Sequence, residues 1–483
     1  VSNTQSPEHT GNFIEGRWRE PESGRLRPNL DPADPARVIG EFAESGAADA
    51  ELAVDAARRA FPAWRAVGSV RRGEILSTAA RLLTERAETI SAAITAENGK
   101  RLDEARGEVR RAAAILEFTA GEGRRLGGQT LPSEEPNTMA FTWRRPLGVV
   151  GLITPWNFPL AIPLWKLAPA LLAGCTAVLK PSPLTPLTAA LLVEVFAEAG
   201  VPEGAVNLVQ GDRPVGEALV ADPRIAGISF TGSLPVGVAI QQACASRLVR
   251  TQLELGGKNA VLVLADADLD AATKAIVHGA FGQSGQRCSA TSRVIVDRAV
   301  REELLERLLP AVAGMRIGPG TDPESDIGPV IDESAQRRLL AAVERARNEG
   351  ATVAAGGKPV ELPGYYVTPT VLTDLAPDAE IATEEIFGPV LSVVDCSGYE
   401  EAMRISNSVR YGMSGTVFTR DYGLAMRALD EFEAGMLHVN RPGVGAQAHH
   451  PHMGAKLSQY GAPECAQQVW DFYTEWRSAC VSF

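Results

Sequence analysis

Between residues 46 and 121 apolar side chains recur at helical spacing. In 71–98, Ile75, Ala79, Leu82, Leu83, Ile90 and Ile94 fall on one face of a 3.6-residue period. Asn98-Gly99 predicts the stop of that run, because glycine takes the left-handed conformation that ends a helix. The pattern changes at Leu147. Segments 148–153, 176–179, 206–209, 225–230 and 260–264 are short apolar runs, as expected of strands buried on both faces. Helical patterns at 160–172, 188–199, 214–220 and 235–245 fall between several of them. The alternation predicts an α/β fold with a doubly wound parallel sheet.

A second alternating series starts near Ala271. It predicts strands at 293–296, 390–394, 416–418 and 436–439 and helices at 299–312 and 333–348, a second α/β domain. Segments 124–143 and 469–483 suit neither core. The latter alternates weakly through Trp470, Phe472, Thr474 and Trp476, which suggests a strand used for oligomerisation. No internal repeat or low-complexity segment is present.

Composition narrows the classes. At 483 residues and 45% hydrophobic, the chain can form about three domains of roughly 100–200 residues each. No apolar run reaches the roughly 18 residues of a membrane span. The stretch 1–11 is polar and short of arginine, so neither a secretory signal nor a transit peptide is expected there. A net charge of −12 argues against nonspecific nucleic-acid binding. The six cysteines, at 175, 244, 288, 396, 465 and 480, lie far apart with no CxxC pair. Neither a zinc site nor a disulfide framework is expected, and a reducing cytoplasm is.

One cysteine stands apart. Cys288 lies in Gly285-Gln286-Arg287-Cys288-Ser289-Ala290, a polar turn, downstream of Glu254 in the apolar Leu253-Glu254-Leu255-Gly256-Gly257-Lys258-Asn259. A thiolate attacks carbonyl carbon, and a carboxylate in an apolar setting has a raised pKa and can serve as a general base for water. Pro155-Trp156-Asn157-Phe158-Pro159 follows the first long buried strand, where α/β folds place ligands, and Asn157 can donate its amide to an oxyanion. Lys180, in Val178-Leu179-Lys180-Pro181-Ser182-Pro183, can meet ribose hydroxyls or a phosphate. Phe230-Thr231-Gly232-Ser233 opens a helix whose first N–H groups can hold a pyrophosphate, although it is not a GxGxxG. Glu385, in Glu384-Glu385-Ile386-Phe387-Gly388-Pro389, can bond a ribose with Phe387 packed at the nicotinamide. Taken singly, each also reads as ordinary structure: a turn asparagine, a solvated lysine, a loop staple.

Taken in order, these segments resemble the aldehyde dehydrogenase superfamily from about Asn12 to the C-terminus. The resemblance implies a Rossmann-type dinucleotide-binding domain (1–123 and 147–253), an α/β catalytic domain (254–456) and a small β oligomerisation element (124–146 and 457–483). It implies NAD(P)-dependent, non-acylating oxidation of an aldehyde to an acid. Cys288 would be the nucleophile, Glu254 the base for the deacylating water, and Asn157 with the Cys288 N–H the oxyanion hole. Lys180 would serve the active site and, with Ile153, Thr154, Pro155, Trp156, Ser182, Pro183, Gly211, Phe230, Thr231, Gly232, Ser233, Val236, Leu255, Gly256, Glu385 and Phe387, hold the cofactor. Phe158, Trp165, Arg287, Ser289, His450 and His452 would line the substrate pocket, with no metal. A homodimer or homotetramer is implied.

Two departures bear on specificity. Many NAD-preferring members carry a glutamate three residues after the strand-end lysine; here the residue is Pro183. With no carboxylate to repel a 2′-phosphate, NADP is expected to serve alongside NAD. In the tail, His452 replaces a tunnel aromatic, within His449-His450-Pro451-His452, which points to a polar substrate or to a solvated loop. The Cys288 segment looks most like dehydrogenases of α-ketoglutaric semialdehyde. The spacing from His438 to Lys456 looks more like benzaldehyde and vanillin dehydrogenases. Trp165 stands where succinic semialdehyde dehydrogenases often carry arginine. A catalytically silent binding protein and an acyltransferase are the alternatives from other classes. The intact Cys288, Glu254 and Asn157 set opposes the first, and Glu254 the second.

Overall fold

The computed structural model describes residues 10–483. Most of the 1–11 stretch therefore lies outside the described residues.

Four helices, Ala47–Ala66, Ser69–Glu85, Ala87–Asn98 and Leu102–Glu122, fill the region of helical periodicity. Gly99 ends the third with φ of 82°. The apolar runs from Val149 onward then build an eight-stranded sheet. Its order is Arg17–Arg19, Asn12–Ile14, Val206–Leu208, Thr176–Lys180, Val149–Ile153, Ile225–Thr231, Arg250–Glu254, Gln459–Tyr460. The five central strands run parallel and the edge pairings are antiparallel. From Val149–Ile153 the chain first moves outward to one side, then returns to lay Ile225–Thr231 on the other. Strand order therefore reverses between these two strands, and their carboxyl ends flank the crevice where such sheets take ligands.

The helix Ala161–Ala173 is buried on every face, in keeping with a sequence that is apolar except for Lys166. It joins the largest core with the tail residues Cys465, Trp470, Phe472 and Tyr473.

A second, seven-stranded sheet has the order Thr352–Ala355, Thr370–Thr373, Val390–Cys396, Thr291–Asp297, Asn259–Val263, Ser414–Phe418, Met436–Val439. All pairings but the first are parallel. The apolar run at 260–264 thus belongs to this sheet and not to the first series. A turn of two glycines after Glu254 carries the chain from one sheet to the other.

Thr474–Ser482, Thr138–Pro146 and Thr130–Leu131 form a separate antiparallel sheet. Only 474–482 of the tail reaches it; Gln459–Tyr460 pairs with the large sheet instead. Two N-terminal hairpins have no counterpart in the periodicity reading. Asn12–Ile14 and Arg17–Arg19 turn through Glu15 and Gly16, both at positive φ, and Leu26–Asp31 pairs with Asp34–Ala43. Among the described residues no helix is long and apolar enough to cross a membrane.

Candidate active site

Cys288 sits at the foot of a cavity of about 710 Å³. The turn that delivers it is unusual: Gln283, Ser284 and Gly285 are all left-handed, a costly arrangement for the two residues with side chains. It is held from outside. Ser284 donates to the Gly328 carbonyl at 2.8 Å, and Glu104 accepts the Gln283 N–H at 2.8 Å. Asn259 then fixes the nucleophile's backbone, its amide donating to the carbonyls of Cys288 and Ala290 at 2.8 Å each.

The two glycines before Lys258 have separate steric reasons. A Cβ on Gly257 would stand 2.5 Å from the Cys288 carbonyl oxygen, and one on Gly256 2.1 Å from a Glu385 oxygen. Their absence lets the cysteine turn and Glu385 close on the same loop. Glu385 accepts the Gly257 N–H at 2.9 Å.

Glu254 ends the strand before those glycines. It is 1% exposed, and neither carboxylate oxygen has a hydrogen-bond partner. Burial first, and then the negative Glu464, hold its pKa well above the usual carboxylate range; Lys166 opposes the shift. Lys166 is itself buried on Ala161–Ala173, donating to Glu464 and to the Ser229 hydroxyl (2.9 Å). Burial, together with Glu254, Glu385 and Glu464, pushes the Cys288 thiol up to about 12.

Asn157 is buried, and its amide donates to the Gln286 carbonyl at 3.0 Å, tying the Asn157 turn to the cysteine turn. Beneath it lies a closed ion pair. Lys100 donates to Glu108 at 2.6 Å and to the Asn157 carbonyl at 2.7 Å. The other Glu108 oxygen accepts from the Leu160 and Ala161 N–H groups, a carboxylate on a helix N-terminus.

Phe158, Trp165, Arg287, Ser289 and His452 all line the cavity. His450 does not. It is exposed, because a turn from Gln447 to His450 directs it outward, with its ring edge-on to His449. The cavity also contains Arg111, which the sequence reading passed over. Arg111 forms no hydrogen bond or ion pair with the described residues, and burial lowers its pKa. Arg287 is more engaged, bonding Gln283 at 3.0 Å with Glu104 at 3.7 Å.

The expected cofactor residues gather at the crevice where strand order reverses. Ile153, Thr154, Pro155 and Trp156 follow one strand, and Phe230, Thr231, Gly232 and Ser233 end its neighbour. Ser233 starts the helix Leu234–Ala245 without capping it by its side chain, and Val236 in the first turn is 48% exposed. The Thr154 hydroxyl is buried without a partner. An uncapped helix start and an orphaned hydroxyl at such a crevice fit a dinucleotide pyrophosphate. Leu255 and Gly256 close one side, and Phe387 meets Trp156 edge-on at 5.6 Å. Other positions point elsewhere. Thr231 reaches toward Glu464 at 3.5 Å, and the Ser182 hydroxyl accepts the Leu184 N–H. Lys180 lies outside the Cys288 cavity, one strand further along the sheet. Its ammonium donates to the carbonyls of Pro181 and Gly211, and burial brings its pKa down to about 8. It does not join Cys288, contrary to the catalytic placement expected from its motif, because its short strand end turns it toward its own loop. Pro183 and Gly211 line a small cleft with Arg27 and Asp212, two residues the sequence reading did not single out.

A model of the aldehyde dehydrogenase family matches residues 18–479. The chain belongs to the aldehyde dehydrogenase family. It is 40% identical over 475 residues to an α-ketoglutaric semialdehyde dehydrogenase of Bacillus subtilis, covering 97% of each chain. It is also similar to the crystal structure of an Escherichia coli NADP-dependent enzyme, with a TM-score of 0.95, 34% identity and 98% of each chain covered. Betaine aldehyde dehydrogenase of Staphylococcus aureus in complex with NAD+ gives a TM-score of 0.95 at 32% identity, over 98% of this chain and 95% of that one. This aldehyde dehydrogenase therefore oxidises an aldehyde to a carboxylic acid with NAD(P). The expected family, fold and reaction class hold.

Proposed function

We propose that this enzyme oxidises an anionic semialdehyde, of the α-ketoglutaric type, to the dicarboxylic acid. Arg111 carries the reading: a guanidinium without a protein partner, in the cavity that ends on Cys288. A half-buried cation without a counter-ion is costly, and a substrate carboxylate is the complement it lacks. Arg287 adds a second positive group, and the name of the Bacillus subtilis relative agrees. The apolar walls Phe158, Ile162 and Trp165 support a second reading, an aromatic aldehyde bearing a carboxyl or hydroxyl group.

In the proposed chemistry Cys288 attacks the aldehyde carbon as a thiolate. The oxyanion takes the Cys288 N–H and, once the Asn157 amide turns from Gln286, a second donor. Bound nicotinamide supplies the acceptor for the substrate hydride. Glu254 then takes a proton from water as that water attacks the thioester, and the sulfur leaves. A carboxylate with raised pKa and free oxygens suits that step. Glu385 and the start of Leu234–Ala245 would hold the cofactor.

Both cofactors are proposed to serve. At the cleft beside Pro183, Arg27 faces Asp212 in an exposed pair at 3.4 Å, and such a pair is weak enough to give way. Arg27 can take a 2′-phosphate, and Asp212 can accept a ribose hydroxyl. Exposed Leu131, Met139, Trp143, Trp476 and Val481 on or beside the small sheet support a homodimer or homotetramer. The widely spaced thiols fit a cytoplasmic setting.

The test is a panel of aldehydes with wild type and Arg111→Met. The variant is expected to lose about 10–100-fold in kcat/KM for α-ketoglutaric semialdehyde, roughly 1.4–2.7 kcal/mol, and little for an uncharged alkyl aldehyde. Equal losses on both would refute the anionic assignment.

A further inference from the structure

The cavity wall places an imidazole against the nucleophile. His452 Nε2 lies 3.9 Å from the Cys288 sulfur, long but within reach of a sulfur hydrogen bond. The ring has little freedom. It leans on Trp165 with centroids 4.7 Å apart, and the His452 N–H and carbonyl are both bonded to the backbone of Glu464. His452 is 4% exposed, and its Nδ1 has no partner.

Charge decides the protonation state. Arg111 comes from the helix Leu102–Glu122 and Lys166 from Ala161–Ala173, and both disfavour a third cation. With burial as the first cause, they bring the His452 pKa down to about 4. The nearby Glu464 carboxylate pairs with Lys166 through Oε1. Arg287, next to Cys288, adds no compensating anion, and Glu254 is held toward its neutral form. The imidazole is therefore neutral, with one N–H and one bare nitrogen. A hydrogen on Nδ1 would have no acceptor; on Nε2 it faces the sulfur. A donor to an anionic acceptor makes the stronger bond.

Resting on the assignment of Cys288 as nucleophile, we infer that His452 is a further catalytic residue of this chain, a neutral Nε2–H donor that stabilises the Cys288 thiolate. The S–H bond breaks, its electron pair stays on sulfur and the proton leaves through the cavity to water; nothing is oxidised or reduced. The need is plain from the surroundings. Burial and the carboxylates of Glu385 and Glu464 oppose the thiolate, and the Asn157 amide is bonded to Gln286. A phenyl ring at 452 would fill the space and donate nothing.

The test is the pH dependence of Cys288 alkylation by iodoacetamide, an uncharged probe, without substrate or cofactor, read by mass on the Cys288 peptide. His452→Phe is expected to raise the inflection by about one pH unit or more, slowing alkylation about tenfold below it. His452→Gln, which keeps a donor but does not titrate, should stay within about threefold of wild type. Coincident profiles for wild type and His452→Phe would overturn the inference. So would a second wild-type inflection between about pH 5 and 7 that His452→Phe abolishes, the mark of an imidazolium–thiolate pair. His452→Leu serves the same comparison should the phenylalanine variant not fold. Cys288→Ala separates the two assignments. Retained oxidation would remove the nucleophile and this inference together, whereas a dead alanine variant with coincident alkylation profiles removes His452 alone.

Discussion

Two buried glutamates flank the nucleophile, and their surroundings are opposite. Glu108 is saturated: Lys100 and two helix N–H groups occupy its oxygens. Glu254 is starved: neither oxygen has a partner, and a second carboxylate stands nearby. One arrangement makes a fixed anion that anchors the Asn157 turn. The other makes an acid that holds its proton above the usual pH and has lone pairs free for water. Sequence chemistry is identical at the two positions; hydrogen-bond supply decides which carboxylate is scaffold and which is reactive.

Exchanging the charge on each tests that contrast. Glu254→Gln should reduce steady-state turnover by about 10²–10⁴-fold while sparing a burst of about one reduced cofactor per site, read by stopped-flow absorbance. Loss of the burst as well would assign Glu254 to thiol activation. Glu108→Leu should instead cost stability, about 3–5 kcal/mol in a urea titration, because it strands the Lys100 ammonium inside the protein. Its activity should fall through Asn157, in the acylation step.

Stability against pH sharpens the contrast further. The folded state holds the Glu254 proton more tightly than the unfolded chain does. Stability is therefore lost as pH rises from the unfolded value, about 4.5, through the folded one. Glu254→Gln removes that loss. Its unfolding free energy should gain on wild type as pH rises above about 4.5. The smallest effect belongs to the cofactor rim. Pro183→Glu should raise the KM for NADP about tenfold relative to NAD, about 1.4 kcal/mol, by placing a carboxylate against the 2′-phosphate. A wild-type preference for NAD of about a hundredfold would dismiss dual use.

The central strands and helices were legible because burial on both faces leaves continuous apolar runs, and the thiol and carboxylate because their glycine-rich turns have no other plain use. The N-terminal hairpins were not: their strands are short and half solvated, so no period shows. Arg27 reaches the Pro183 cleft only through the Leu26–Asp31 hairpin. Arg111 lies on a helix whose apolar stripe marks it as solvent-facing, and only the packing of stretches such as 273–289 and 444–452 against it turns that face into a cavity. Lys166 and Glu464 meet across 298 residues of sequence. His450 and His452 look alike in sequence, and the direction of one turn separates them.

The two backbone bonds between His452 and Glu464 also set the terms on which this pocket can diversify. They close the chain between those residues into a loop with both feet fixed. Gln459–Tyr460 lies inside that loop and pairs with Arg250–Glu254, so an inserted residue there would disturb the strand that ends on Glu254. An insertion in 441–451 lies outside the clip, and would shift the stretch that carries Val444 and Ala446 along the cavity. Variation in length thus reaches the Glu254 strand on one side of the clip and the substrate cavity on the other.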